Sequence, residues 1–294
     1  MESLGSLQTF VQVAELRSFA DAGRAAGVSA TAVGKSISRL EDNLGARLFH
    51  RTTRSITLTA EGEMLLARAR RILAEAEAAR DELSEHAQAP RGRLRISLPQ
   101  ITDLTMPVLA DFMAAYPQIL LDLDFTDRVV DVVEEGFDAV LRCGAPADSR
   151  LSARQVGVFN RCLVASPGYL QAHGVPTQPA DLVDHHCLHY RFPTSGRIEE
   201  WPLRGTPAEF RLPLSMVCNT IETRLCFAIR GRGIACLPDH SVQEAVQSGR
   251  LVRVLDGHVD GWSTLHLLWP SGRHMVPRLR VFVDFVAQRL MPAA

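Results

Sequence analysis

Small polar side chains and isolated cations are concentrated on one face of a short segment that begins at Ser29. Their spacing is that of one face of a helix, and they are Ala30, Thr31, Gly34, Lys35, Ser38 and Arg39. The opposite face is apolar and carries Val33, Ile37, Leu40 and Leu44. A solvated surface helix would normally carry long charged residues, whereas small groups let a helix lie deep in the major groove of DNA, which is about 12 Å wide. The pattern therefore predicts a helix that reads base edges with Thr31, Gly34, Lys35 and Ser38.

An Arg/Thr-rich turn, Arg51-Thr52-Thr53-Arg54, follows this segment. Guanidinium and hydroxyl groups at a hairpin tip suit phosphate oxygens and a narrow minor groove. We expect Arg39 and Arg54 at phosphates or in the minor groove, and the other three residues at the DNA backbone. Residues 29–58 contain five cations and two acids, so this region is basic although the whole chain has a net charge of −1.

Two further helices must hold this surface in place. The first is predicted over Leu4–Glu15, where the apolar face consists of Leu4, Leu7, Phe10, Val11 and Ala14. Ser18 and Ser29 are suitable N-caps for the second and third helices, and Gly27 suits the turn between them. Leu48 and Phe49 are expected to pack back on the core. Residues 1–59 therefore predict a winged helix-turn-helix DNA-binding domain.

Residues 60–89 predict a long linker helix that mediates dimerisation. Its apolar positions step by four and three, as in a coiled coil, and are Leu65, Ala69, Ile72, Ala76, Ala79 and Leu83. A helix of this length, roughly 40 Å, is longer than the small N-terminal domain could cover. The run Ala89-Pro90-Arg91-Gly92 then predicts a hinge.

Strands and helices alternate in the remaining sequence, which predicts an α/β domain with parallel-rich sheets. The predicted strands are 93–98, 119–125, 139–143, 163–165, 188–190, 212–217, 233–237 and 265–269. The predicted helices are 102–116, 129–135, 221–230, 241–247 and 276–290.

The run from Ser29 to Gly62, S-A-T-A-V-G-K-S-I-S-R-L-E-D-N-L-G-A-R-L-F-H-R-T-T-R-S-I-T-L-T-A-E-G, resembles the N-terminal signature of LysR-type transcriptional regulators. Three later runs are similar to landmarks of the family's effector domain: R-L-R-I-S at 93–97, D-R-V-V-D-V-V-E-E-G-F-D-A-V-L-R-C-G at 127–144 and G-x-G-I-A-x-L-P at 231–238. Family members usually have Ser where Gly34 stands, and often Gln or Pro where Ala30 and Thr31 stand.

The resemblance implies a sequence-specific regulator of transcription that binds a pseudo-palindromic operator as a homodimer or homotetramer. It also implies an effector-binding domain at 90–294 with two subdomains like those of periplasmic binding proteins. Subdomain I would comprise about 93–162 and 265–294, and subdomain II about 163–264. A small organic effector, such as a carboxylate, would bind between them.

Ligands of open α/β sheets bind beyond the carboxyl ends of the strands. The residues there that are predicted to contact the effector are Pro99, Gln100, Ile101, Thr102, Asp127, Arg142, Cys143, Asn219 and Thr220. The LysR resemblance implies that the effector site is walled by residues 99–102, 142–144 and 219–220. Thr102 and Thr220 could equally be plain N-caps. Arg142 could be an anion receptor or the ion-pair partner of Asp127 or Asp138. Ile101 and Leu237 would form apolar walls of the effector site.

Other functions are possible for a few residues. The cluster His185-His186-Cys187-x-His189 suggests a metal site. However, no fourth ligand is apparent, and adjacent strand residues point to opposite faces. Cys218 and Cys226 suggest a thiol-based redox sensor, in which Arg224 and Arg230 would be the nearby cations. A small-molecule binding protein without a DNA role would lack residues 1–88.

The remaining composition narrows the class of protein. The N-terminus has no basic region before an apolar core, and no apolar run approaches the ~18 residues of a membrane span. The six cysteines show no CxxC spacing, which favours reduced thiols in the cytoplasm. Because hydrolase, phosphate-loop and zinc-protease motifs are missing, we expect no enzyme activity, no cofactor and no metal.

Overall fold

Three short helices begin the chain and form the core of its N-terminal part: α1 (Leu4–Leu16), α2 (Phe19–Ala26) and α3 (Ala30–Leu44). The computed structural model describes residues 4–51, 56–84, 90–146, 148–207, 209–271 and 275–291. Side-chain oxygens of Ser18 and Ser29 accept the N–H groups of Asp21 and Ala32, as N-caps do. Gly27 ends α2 in the left-handed conformation, with φ 69°. The three predicted helices are thereby confirmed.

The N-terminal core excludes two residues that the helical pattern assigned to it. Phe10, Ile37 and Leu40 are at most 1% exposed, but Leu4 is 48% and Leu44 45% exposed. Both lie at helix ends, where the apolar face extends past the packed neighbours. Leu48 and Phe49 pack on the core as predicted.

A two-stranded wing and a long helix complete this unit. Strand β1 (Phe49–Arg51) pairs antiparallel with β2 (Ile56–Leu58), and α4 spans Ala60–Ser84. Residues 85–89 of the predicted linker helix lie outside the described residues. Leu65 and Ala69 of its predicted seam pack against the N-terminal core, whereas Ile72 is 46% exposed. Arg70 on α4 forms an ion pair with Glu15 on α1 at 3.1 Å.

The second unit is built on a mixed sheet, and its elements alternate as the sequence predicted. In chain order they are β3 (Gly92–Leu98), α5 (Thr102–Ala115), β4 (Ile119–Phe125), β5 (Ala139–Cys143), β6 (Leu151–Ala165), α6 (Pro167–His173), β7 (Cys187–Tyr190), β8 (Met216–Cys218), α7 (Ile221–Ile229), β9 (Ile234–Pro238), α8 (Asp239–Gln247), β10 (Val252–Val254), β11 (Trp262–Pro270) and α9 (Pro277–Arg289). The described part of Ala89–Val130 and Asp138–Ala294 forms this unit, and 131–137 groups with the N-terminal one.

The strand order β4-β3-β5-β11-β6-β9-β7-β8 divides the sheet into two halves joined by its two longest strands. Outer pairs such as β3–β4 and β7–β8 are parallel, whereas β6 and β11 run antiparallel to each other. We call the half with β3, β4 and β5 subdomain I, and the half with β7, β8 and β9 subdomain II. Alternate residues of the inner strands bury opposite faces, so Leu163 and Val164 of β6 lie in separate apolar clusters.

Several sequence predictions need correction. The predicted helix at 129–135 is wrong: this segment forms turns, within which the Asp131 carboxylate accepts the N–H groups of Val133 and Glu134. Strand β6 runs over 151–165 rather than 163–165, and its polar first half has no clear alternation. The strand predicted over 212–217 begins only at Met216, and α6 and β10 were not predicted.

Within the described residues, no helix is both long and apolar enough to span a bilayer.

Candidate functional site

The outward face of α3 presents the side chains that the sequence singled out. Thr31, Lys35 and Arg39 are exposed, and Gly34 and Ser38 are partly exposed between them. A side chain added at Gly34 would meet no atom within 4 Å, so the space in front of this face is open. Ser29 lies at the N-terminus of the helix, where its hydroxyl accepts the N–H of Ala32 at 3.1 Å. The face is therefore rigidly held, basic and free to receive a partner.

Glu41 fixes the position of the wing relative to α3, which the sequence reading missed. Its side chain is 4% exposed, and Oε1 accepts the N–H groups of Leu48 at 2.9 Å and Phe49 at 3.3 Å. The carboxylate therefore points inward, and its Oε2 also lies 3.8 Å from Nη1 of the exposed Arg47. The signal for this role was its position beside Leu40, on the inward side of the helix.

Thr59 and Gly62 join the wing to α4. The Thr59 hydroxyl donates to the carbonyl of Arg47 at 2.7 Å and accepts the N–H of Gly62 at 2.9 Å. A Cβ at Gly62 would overlap the carbonyl oxygen of Leu48, so only glycine permits this approach. The backbone of Arg51 ends β1, and the predicted DNA contacts Thr52, Thr53 and Arg54 lie outside the described residues.

In the second unit, a bridge between the subdomains starts from Asp127. Its Oδ1 accepts the N–H of Gln100 at 3.0 Å, and its Oδ2 accepts the hydroxyl of Tyr190, on β7, at 2.7 Å. The pKa of Tyr190 is raised mainly by burial, and also by this hydrogen bond and the charge of Asp127. The phenol therefore remains a hydrogen-bond donor. Asp127 is thus brought to the predicted cleft together with a residue that the sequence did not single out.

Two more polar contacts connect α5 with subdomain II. The Thr102 hydroxyl donates to Glu222 Oε1 on α7 at 3.0 Å, and Asp103 Oδ2 lies 3.0 Å from His240 Nδ1 on α8. Thr102 is therefore a bridging residue and not an N-cap. Burial alone would raise the pKa of Asp103, but the hydrogen bond and charge of His240 outweigh it and hold that pKa below the ordinary value.

The other residues predicted to line the cleft include a helix cap, buried residues and one exposed residue. Thr220 is the N-cap of α7, since its hydroxyl accepts the N–H of Thr223 at 3.3 Å. Pro99 and Ile101 are buried, as is the predicted wall residue Leu237, and Asn219 is exposed beside Thr220.

Arg142 is engaged by neutral groups instead of the predicted aspartates. Its guanidinium donates to Ser97 Oγ at 2.7 Å, to the carbonyl of Leu141 at 2.7 Å and to that of Arg128 at 3.4 Å. Burial lowers its pKa, and the nearby charge of Asp127 opposes this effect without a hydrogen bond. The next residue, Cys143, is exposed at the end of β5, and partial desolvation followed by the charge of Asp127 raises its thiol pKa to about 11.

A buried ionic network lies behind Tyr190. Arg224 on α7 is 3% exposed and donates to Glu199 Oε2 at 3.3 Å and to the carbonyl of Cys236 at 2.8 Å. Glu199 also pairs with Arg161 at 2.8 Å, and the Arg224 guanidinium lies 4.9 Å from the Tyr190 ring centre. This network positions the tyrosine that bridges the subdomains.

The unit with α3 and the wing corresponds to a known domain, and so does the unit with the cleft. Residues 4–63 match "Bacterial regulatory helix-turn-helix protein, lysR family", and residues 87–291 match "LysR substrate binding domain". The chain belongs to the LysR family of transcriptional regulators. Members of this family bind DNA and small-molecule effectors and form oligomers.

Relatives of this LysR regulator cover nearly its whole length. It is 33% identical to the HTH-type transcriptional regulator PgrR of Escherichia coli K12, over 96% of each chain. The structure of CrgA, a LysR-type transcriptional regulator from Neisseria meningitidis, has a TM-score of 0.63 at 32% identity and covers 99% of each chain. The full-length Vibrio cholerae virulence activator AphB has a TM-score of 0.61 at 27% identity, over 97% of this chain and 98% of that one.

The histidine-rich segment of this LysR protein has protein partners for its rings. His185 Nδ1 lies 3.1 Å from the Tyr169 hydroxyl, and His189 Nε2 donates to the carbonyl of Pro213 at 2.9 Å. Cys187 is fully buried, which raises its pKa to about 12. In the part of the chain that is described, no three His, Cys, Asp or Glu residues are grouped as a metal ion would require.

The two cysteines of the redox hypothesis differ in environment from what the sequence suggested. Cys218 is half-buried and its Sγ lies 3.5 Å from the carbonyl of Thr220, whereas Cys226 is exposed. Arg224, the expected activating cation, is buried and paired with Glu199. The arrangement therefore does not favour a thiol sensor.

Proposed function

We propose that this LysR regulator reads a pseudo-palindromic operator with paired α3 helices and wings, in response to a small organic carboxylate. The observation that carries the DNA assignment is the exposed, open face of α3. Thr31, Gly34, Lys35 and Ser38 approach base edges, with Arg39 and the turn at 51–54 at the DNA backbone or minor groove. The protein acts in the cytoplasm, where its operator is found.

Lys35 provides the test of base reading. Lys35→Gln removes the only lysine ammonium of the chain and is expected to weaken operator binding by about 1–3 kcal/mol while leaving binding to random duplex nearly unchanged. Fluorescence anisotropy with both duplexes measures the two losses. Arg17→Gln is the matched control, because Arg17 is exposed in the turn after α1 and lies outside α3. Equal losses on both duplexes would show that Lys35 contacts only phosphate.

The effector assignment relies on Arg142. This guanidinium is partly buried in the cleft, and its described hydrogen bonds all go to neutral oxygen atoms. A partly buried cation without a hydrogen-bonded carboxylate favours an anionic ligand. The ligand would contact Gln100, Cys143 and Asn219 around this cation. The bridging contacts of Thr102, Asp127 and Tyr190 would change as the subdomains move. We place the subdomain boundaries near residues 162 and 265.

A thermal-shift screen of small organic acids tests this site on the full chain. A hit at 100 times its dissociation constant should stabilise the protein by about 2.7 kcal/mol. Arg142→Gln and Gln100→Ala should each reduce that shift, whereas Arg204→Gln, an exposed arginine paired with Asp260, should not. Hits that survive both cleft substitutions unchanged would refute the assignment.

A further inference from the structure

A cavity of about 480 Å³ lies in subdomain II and shares none of its lining residues with the interdomain cleft. It is bounded by α6, by the turn that ends α7 and by Arg250. This volume is in the range of small-molecule sites in proteins, and the site is wide open to solvent.

Two arginines line this cavity, and one of them is paired with a carboxylate that lies outside the lining. Arg230 and Arg250 both line it together with His173, and no Asp or Glu does. The exposed guanidinium of Arg230 has no carboxylate partner among the described residues. Arg250 is held at the rim, with Nε donating to Ser248 Oγ at 3.0 Å and Nη2 to Glu244 Oε1 at 2.6 Å. Because a guanidinium has five N–H donors, Arg250 retains donors for a further acceptor.

The walls of the cavity are already ordered. Gly231 ends α7 with φ +70°, and a Cβ there would come within 3.3 Å of Ser166 Oγ, which fixes the turn that carries Arg230. On the opposite wall, the ring of His173 stacks on Tyr169 at 4.3 Å, and its Nδ1 donates to the carbonyl of Tyr169 at 3.1 Å.

We propose that this cavity is a second ligand site, which takes a small organic dianion. Arg230 and Arg250 bind its two anionic groups, since guanidinium forks match carboxylate and phosphate oxygens. Pro167 and Ile229, which also line the cavity, contact its apolar body. The site is independent of the proposed effector cleft, so either assignment can fail without the other.

Titration calorimetry of the full-length protein at low ionic strength tests this site with two probes. Phthalate represents an organic dicarboxylate and inorganic pyrophosphate a phosphate source. We expect at least one probe to bind, phthalate more tightly than the neutral dimethyl phthalate, and Arg230→Gln or Arg250→Gln to weaken binding by about tenfold or more. The probe with the larger response identifies the source of the anion.

Controls separate this site from the cleft and from general charge effects. Arg204→Gln, in the same subdomain but outside the cavity, should leave probe affinity unchanged, as should Gln100→Ala in the cleft. Thermal melts establish that the variants fold. The proposal is overturned if neither probe binds, if both cavity variants bind like wild type, or if Gln100→Ala alone abolishes binding.

Discussion

Gly34 occupies the centre of the exposed face of α3, where the LysR resemblance implies a serine. A Cβ would meet nothing within 4 Å there, so a larger residue has room in the free protein. We expect Gly34→Ala to stabilise the fold by roughly 0.5–1 kcal/mol, because alanine restricts the unfolded chain and favours the helix.

Urea unfolding measures this change. Gly45→Ala is the matched control, since Gly45 is equally open but has φ +65°, where alanine is strained. Destabilisation by Gly34→Ala would contradict the description of this face as open. Gly34→Ser should in addition restore a hydroxyl to the groove-facing surface, and a changed operator preference in a binding-site selection would reveal it.

Asp103 is the residue whose charge state is most directly linked to a contact between the subdomains. Its folded pKa is below the ordinary value of 3.8 because of His240. The stabilisation is therefore fully present above the unfolded pKa and is lost as pH falls through the lowered folded pKa.

We expect the melting temperature difference between wild type and Asp103→Asn to shrink as pH falls from about 5 to below 3. The effect is small because Asp103 is 45% exposed. The same comparison in a His240→Gln background is the control, since the partner that lowers the pKa is then missing. A difference that is independent of pH in the wild-type background would disprove the linkage.

At the scale of elements, the wing is held to α3 by one buried carboxylate. Glu41→Ala removes the acceptor of the Leu48 and Phe49 N–H groups. Leaving two buried donors unpaired costs about 1–3 kcal/mol for each group. Glu41→Gln keeps a carbonyl oxygen and should cost clearly less.

Denaturant unfolding of the two variants distinguishes the hydrogen-bond role from a charge role. Asp42→Ala, at the exposed neighbouring position, controls for loss of an acid on α3. Equal stability losses for Glu41→Ala and Glu41→Gln would indicate that charge rather than acceptor geometry holds the wing.

At the scale of the whole molecule, α4 packs within its own domain and is also the helix proposed to mediate dimerisation. Leu65 and Ala69 are used within the N-terminal unit, so self-association through this helix would depend on later residues such as the exposed Ile72. We expect Ile72→Asn to shift the protein from dimers towards monomers and to weaken operator binding by about tenfold or more, because each half-site then binds separately.

Light scattering and operator titration measure the two effects. Arg68→Asn, an exposed residue on the same helix, is the control and should leave both unchanged. An Ile72→Asn protein that remains dimeric would place the dimer contacts elsewhere, for instance entirely in the regulatory domain.

Local features of the sequence were sufficient for most of the elements and for the class of protein. The N-caps Ser18 and Ser29, the turn at Gly27 and the alternation after residue 90 depend on neighbours within a few residues, so each predicted correctly what the structure contains. The open polar face of α3 follows from the same helical period. At residues 129–135 the prediction of a helix was wrong, and the hydrogen bonds of the Asp131 carboxylate within the turns there were overlooked.

Only the tertiary structure decided the partners of the charged groups. Asp127 bonds Tyr190 across 63 positions of the chain, and Thr102 bonds Glu222 across 120. The fold buries Glu41 against β1, where its carboxylate accepts backbone N–H groups. Arg142 was open between an anion receptor and an ion-pair partner of Asp127 or Asp138, and in the structure it donates to Ser97 on β3. Such pairings depend on sheet order and on which face each strand buries, and side-chain periodicity specifies a face but not the neighbour opposite it.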